Sequence, residues 1–259
     1  SRRTLFRKYM GTRFVIVGAP RTGSTLLVRT LDSLHGICCH GELLADAVRG
    51  YQDGFDPEAA TAEERGARAA RLLQQRDHNA VGFICTALDA PHDATGFKAL
   101  YGNLLNPRWR DVVNMLSAEK DTHFIHLKRR NTLRRYISEK ILQAGGPNHS
   151  GAGGRSDNRM RVHIDIDAYQ RETEAAAAEE QSVTALLGDN AVLQLTYEQL
   201  AANTAATVAD VCQFLRVGTF PTDIAPALKK VGAADLSETV SNFNELLAHP
   251  ATSDLVVSD

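Results

Sequence analysis

Gly18 and Gly23 enclose four residues, Ala19-Pro-Arg-Thr22, and Ser24-Thr25 follow directly. A glycine turn, a cluster of hydroxyls and a helix start in that order suit an anion, because backbone N–H groups at a helix N-terminus point at a phosphate-type group. The spacing is that of a Walker A loop, G-x-x-x-x-G-K-[ST]. Here Ser24 fills the lysine slot, and the loop's cation is Arg21. Loss of the lysine that reaches β- and γ-phosphates speaks against ATP or GTP as a phosphoryl donor. What remains fits a ligand with one 5′-phosphate-type group. Thr22, Ser24 and Thr25 offer hydroxyls, and Arg21 brings charge to a bridging oxygen. A second cation–hydroxyl pair lies further on, Arg130 and Ser138, eight residues apart. Arg130 can fork onto a phosphate while Ser138 donates a hydroxyl. Arg134 and Arg135 read as a solvated basic face.

These residues need strands and helices to hold them. Phe14 to Val17 is an apolar run that predicts a strand, and Ser24 to Leu34 carries Leu27, Leu31 and Leu34 at helical spacing. The stretch from Ile37 to Leu44, with His40-Gly-Glu42, reads as irregular. Helices are expected at Ala62 to Gln75, at Pro107 to Ala118 with proline in the first turn, and from an Asn131 cap to about Gln143. Further strands are expected at Phe97 to Leu100, His123 to Leu127 and Ala191 to Leu195. A long helix spans Asp167 to Leu187, and others Thr204 to Leu215, Asp223 to Lys230 and Leu236 to Leu247. The glycine-rich stretch 145–157 reads either as a plain connector or as a lid. His126, alternating with Ile125 and Leu127, and Trp109 read as packing residues. Strands alternating with helices imply an α/β fold, a P-loop-like three-layer α/β/α arrangement with a central parallel sheet. Arg130 then stands at the carboxyl end of a strand, where ligands bind in open α/β sheets.

The 259 residues suit one large domain. Hydrophobic residues make up 43% and charged residues 23%, as in ordinary globular proteins, and the net charge of -2 gives no argument for nucleic acid or an acidic membrane. The four cysteines form no metal-type spacing, and the adjacent Cys38-Cys39 reads as a pair of free thiols. No metal, nucleic-acid partner or integral membrane segment is expected, and the reading is cytoplasmic. The chain begins at Ser1 rather than Met, which leaves room for a removed anchor or a longer parent protein. Oligomeric state has no signal.

Together, Ala19-Pro-Arg-Thr-Gly-Ser-Thr25 and Arg130-Asn131 with Ser138 resemble the two donor-binding motifs of sulfotransferases that use 3′-phosphoadenosine 5′-phosphosulfate (PAPS). The Pro-Arg-Thr-Gly form is similar to bacterial carbohydrate sulfotransferases of the nodulation-factor and trehalose types. Leu195-Thr-Tyr-Glu-Gln-Leu200, Cys212-Gln-Phe-Leu-Arg-Val217 and Ser241-Asn-Phe-Asn-Glu-Leu246 extend the resemblance more weakly. The glycine/lysine-rich C-terminal motif of cytosolic members is absent.

The resemblance implies a single sulfotransferase-like domain over 1–259, with acceptor-side insertions near 44–95 and 145–190. It implies PAPS as donor, 3′,5′-ADP as product, and a small-molecule or glycan acceptor, with a sugar hydroxyl foremost. Pro20, Arg21, Thr22, Gly23, Ser24 and Thr25 would hold the 5′-phosphosulfate, and Arg130 and Ser138 the 3′-phosphate. Arg21 would stabilise the departing oxygen. Sulfuryl transfer needs a base for the acceptor proton. Glu42 is the first choice, as the same segment of related enzymes carries a glutamate with that role, and His40 is the rival. Lys98, in Gly96-Phe-Lys-Ala-Leu100, either touches acceptor or sulfate or is an ordinary strand-end lysine. Other readings are a P-loop small-molecule kinase or NTPase, an inactive nucleotide-binding module, and a sulfotransferase with a natural-product acceptor.

Overall fold

The computed structural model describes residues 11–146, 161–218 and 235–258. Among the described residues, five strands form one parallel sheet in the order β2-β3-β1-β4-β5. They are β1 (Thr12–Gly18), β2 (Ile37–Glu42), β3 (Ala94–Leu100), β4 (Thr122–Lys128) and β5 (Ala191–Thr196). The three-layer α/β arrangement is therefore present. Alternation along β1 shows why. Phe14 and Ile16 enter a core with Leu27, Val28 and Leu31 of α1 (Ser24–Asp32) and with Val208, Val211 and Cys212 of a later helix (Thr204–Phe214). Val15 and Val17 face the other way, against residues that include Phe83, Ile84, Val112 and Val183. A sheet covered on both faces gives near-continuous apolar strands.

Helices α2 (Ala62–His78) and α3 (Ala80–Leu88) lie between β2 and β3, with Asn79 closing the first and capping the second through Gly82 N–H. Then come α4 (Tyr101–Leu104), a 3₁₀ turn at Pro107–Trp109, and α5 (Arg110–Ala118). The helix α6 (Thr132–Gln143) follows β4, and α7 (Ile166–Leu187) precedes β5. After β5 come α8 (Tyr197–Ala202) and α9 (Thr204–Phe214), then the short α10 (Phe243–Ala248) and α11 (Ser253–Val257). The expected helix at Asp223 to Lys230 and most of the glycine-rich stretch 145–157 lie outside the described residues.

Three expectations change. The segment read as irregular is strand β2, disguised by a bulge between His40 and Glu42. The apolar α3 was not foreseen. The helix expected from Leu236 to Leu247 is split into a 3₁₀ turn (Leu236–Glu238) and α10. Asn242 lies at the break, its side chain pairing with both N–H and C=O of Ile164, as a backbone neighbour would.

His126 is fully buried, with Nε2 2.6 Å from the Tyr101 hydroxyl and Nδ1 without a partner among the described residues. Burial, then the nearby Lys128 charge, pushes its pKa from 6.5 down to about 4. The unfolded chain thus takes up this proton at a higher pH than the folded one. Between pH 6.5 and about 4 stability rises with pH; it is complete above 6.5 and is lost as pH falls through that window. At ~1.36 kcal/mol per unit this is on the order of 3 kcal/mol. Urea unfolding at several pH values should show a flatter acid limb in His126→Gln than in the parent. Parallel curves would refute the assignment.

Candidate active site

β1 is followed by a crossover to β2 on one side of the sheet, and β4 by a crossover to β5 on the other. The crevice between their carboxyl ends is the switch point where α/β sheets bind ligands. Both sequence motifs reach it. The loop after β1 turns through Arg21 (φ 64) and Gly23 (φ 83), both left-handed. Glycine is required at 23 twice over, since a Cβ there would lie 2.6 Å from the Tyr197 ring. Thr22 is buried and donates its hydroxyl to Ala19 C=O at 2.9 Å, which ties the loop across itself. Among the described residues no side chain caps α1, and its first turn has no acidic residue, so its opening N–H groups suit an anion.

Arg21 is a non-glycine residue in a sparsely populated conformation, which costs of order 1–3 kcal/mol unless its surroundings hold it. Two contacts do so. Its Nε donates to Ser138 Oγ at 3.0 Å, and its carbonyl accepts from Arg129 Nη1 at 3.1 Å. The first contact joins the two motifs across 117 residues of chain. Burial lowers the Arg21 pKa, partly offset by Glu139.

Arg129, the residue before Arg130, packs inward. Its guanidinium lies 4.4 Å from the Tyr197 ring centre, its Nε is buried without a partner among the described residues, and burial lowers its pKa. Tyr197 thus supports Gly23 on one side and Arg129 on another. Arg130 points outward, with a 71% exposed side chain. The neighbouring Glu198 accepts the N–H groups of Arg130 and Asn131 at 3.2 and 3.1 Å and lies 3.7 Å from Arg130 Nε. Asn131 caps α6 by accepting from Arg134 N–H.

Opposite the loop, Lys98 projects from β3 toward α1, because Phe97 and Ala99 on either side of it enter the other core. It is buried, donates to Thr25 Oγ1 at 3.3 Å and pairs with Glu42 Oε1 at 2.7 Å. The β2 bulge sets this pair: His40 stands beside Phe97, and the extra residue Gly41 lets Glu42 stand beside Lys98. Glu42 keeps 19% side-chain exposure. His40 is elsewhere, 1% exposed, stacked on Tyr51, with Nδ1 accepting from Gln52 N–H and Nε2 donating to Ala87 C=O, each at 2.9 Å. Burial lowers its pKa. The structure therefore joins Arg21 to Ser138, and Thr25 to Lys98 and Glu42, with Thr22, Gly23 and Ser24 in the turn between Arg21 and Thr25, and leaves His40 in the core. Pro20, at the exposed loop tip, completes the turn.

Sequence reading passed over Arg129, Tyr197 as a loop support, and the Lys98–Glu42 pairing. For Arg129 a usable signal was its place directly after β4. Among the described residues no cluster of His, Cys, Asp and Glu could hold a metal, and no helix is long and apolar enough to cross a membrane.

The fold and site define a parallel α/β protein with a lysine-free, phosphate-type loop at the switch point of its sheet. Residues 13–221 match the model of the sulfotransferase family, and the chain belongs to that family. The sulfotransferase domain from the curacin biosynthetic pathway has the same fold, with TM-score 0.54 at 18% identity over 88% of this chain and 82% of that one. The sulfotransferase from Alicyclobacillus acidocaldarius is 21% identical over 95% of this chain and 96% of that one, with TM-score 0.47. A sulfotransferase domain from the Synechococcus PCC 7002 olefin synthase is 16% identical over 88% and 83%, with TM-score 0.46. No curated protein matches the chain.

Proposed function

We propose that this protein transfers a sulfuryl group from PAPS to an acceptor hydroxyl and releases 3′,5′-ADP. Membership of the sulfotransferase family supports the reaction class. One observation carries the finer reading. Glu42, Lys98 and Thr25 are linked in sequence at the start of α1, so a proton acceptor and a cation meet where a bound 5′-phosphosulfate would end.

The residues suit such a donor. The α1 N–H groups with Ser24 and Thr25 take the 5′ group, and Arg130 and Ser138 the 3′-phosphate. Arg21 reaches Ser138, so its charge spans the two phosphate positions, and Lys98 supplies the cation that the loop lacks as a Walker A. In the transfer the acceptor O–H gives its proton to Glu42 and forms the new O–S bond. The bond from sulfur to the 5′-phosphate oxygen breaks, and that oxygen keeps the electron pair, stabilised by Lys98, Arg21 and backbone donors. Most of the catalysis is positioning and electrostatics. A carbohydrate or glycolipid hydroxyl is the proposed acceptor, from the Pro-Arg-Thr-Gly loop form, and segments 44–95 and 145–190 would build its side of the site within a single domain.

A ligand that binds only the folded state raises the melting temperature. We expect 3′,5′-ADP to stabilise the protein and ATP with Mg²⁺ to do so weakly. Preference for ATP would favour the kinase or NTPase reading and end this one.

A further inference from the structure

We propose that Arg76 and Asn103 form a clamp that positions Glu42 against Lys98; the inference rests on Glu42 being the base. The segment after β2 is neither helix nor strand, yet four successive carbonyls each have a donor. Glu42 C=O accepts from Arg49 N–H at 3.1 Å, Leu43 C=O from Arg76 Nη1 at 3.1 Å and Leu44 C=O from Asn103 Nδ2 at 3.3 Å, while Ala45 C=O accepts from the same Arg76 Nη1. Gly41 N–H donates to Gly50 C=O at 2.9 Å, closing the loop that begins at the carboxylate.

Both clamp residues are placed for this. Arg76 is 0% exposed, its guanidinium lies 4.8 Å from the Trp109 ring centre, and its Nε holds Asp77 at 2.9 Å. Burying a guanidinium is expensive where an apolar side chain would fill the space. A guanidinium alone gives one nitrogen to two carbonyls, another to a carboxylate and a flat face to an indole. Asn103 works from the lysine's side. Its Oδ1 accepts from Leu100 N–H at 3.0 Å, and its Nδ2 holds Leu44. One amide thus ties the residue two beyond Lys98 to the residue two beyond Glu42. The 2.7 Å ion pair is built on that cross-link, with Arg76 holding the carbonyls on either side of it.

Both residues are positioning residues: their hydrogen bonds to the segment after β2 go to the carbonyls of residues 43–45, not to the phosphate-type loop 18–25 or to the Glu42 carboxylate. The test uses Asn103→Ala, and Arg76→Lys, which keeps the buried charge but not every contact. Amide exchange without ligands should lose protection at Gly41 and Arg49 in both variants while the β1 amides keep theirs. With active sites counted by 3′,5′-ADP binding, kcat should fall by about 10²-fold with the donor KM unchanged, as for a misplaced catalytic group. Unchanged protection, or an unchanged kcat while Glu42→Gln is inactive, would overturn the clamp. Full transfer by Glu42→Gln would instead end the base assignment, and the exchange data alone would then decide whether Arg76 and Asn103 hold the segment.

Discussion

Glu42→Gln is expected to bind 3′,5′-ADP like the parent and to lose sulfuryl transfer by about 10²–10⁴-fold in kcat, the range for removing a general base. The substitution keeps size and shape. Its amide oxygen still accepts from Lys98, which also keeps Thr25 Oγ1, so the cation stays in place. What is lost is the ability to take a proton. Binding of 3′,5′-ADP should survive because, among the described residues, the carboxylate meets the loop residues 18–25 only through Lys98. The rival base is poorly placed: His40 offers no lone pair to a cleft, as Nδ1 accepts from Gln52, Nε2 faces Ala87 C=O, and the ring is 1% exposed. Single-turnover transfer with labelled donor separates chemistry from binding. Parent-like transfer by Glu42→Gln would remove Glu42 from the mechanism.

The parts of the fold legible in the sequence are those set by local pattern. Phe14 to Val17 and His123 to Leu127 are apolar because both faces of the sheet are covered, and Gly18, Gly23 and Asn131 mark turns and caps within a few residues of themselves. The turn into α1 and the Asn131 cap of α6 were legible for the same reason. The unread parts depend on distant partners. β2 is an edge strand whose bulge has meaning only against β3. The pairing of Glu42 with Lys98 is a register between residues 56 apart in number, and no local property of either reports it. Arg129 and Arg130 are adjacent and alike, yet one packs on Tyr197 and the other faces solvent; that difference comes from α8, which lies beyond β5. Asn242 breaks a helical pattern because Ile164 offers it a full backbone-like pair, a tertiary contact that outweighs propensity.

Arg130→Ala is expected to weaken 3′,5′-ADP binding by about 10–100-fold while leaving the ligand-free melting temperature nearly unchanged. The second half follows from exposure. The side chain is 71% exposed and its ion pair with Glu198, at 3.7 Å, is of the kind that adds little to stability. The backbone turn does not depend on it either, since Glu198 holds the N–H groups of Arg130 and Asn131, and an alanine keeps that N–H. The first half follows from chemistry: charge-assisted hydrogen bonds contribute roughly 1.5–3 kcal/mol, and every ~1.4 kcal/mol is tenfold in affinity. The comparison ligand is 5′-AMP, which has the same base, ribose and 5′-phosphate without the 3′-phosphate. If Arg130 holds the 3′-phosphate, the alanine variant should bind 5′-AMP as the parent does, so the loss and the missing phosphate form a coupled pair in a double cycle. An equal loss for both ligands would make Arg130 a general source of positive potential. No loss for either would dissociate the second motif from the donor and leave Arg21 and Ser138, joined at 3.0 Å, to hold that end of the cleft alone.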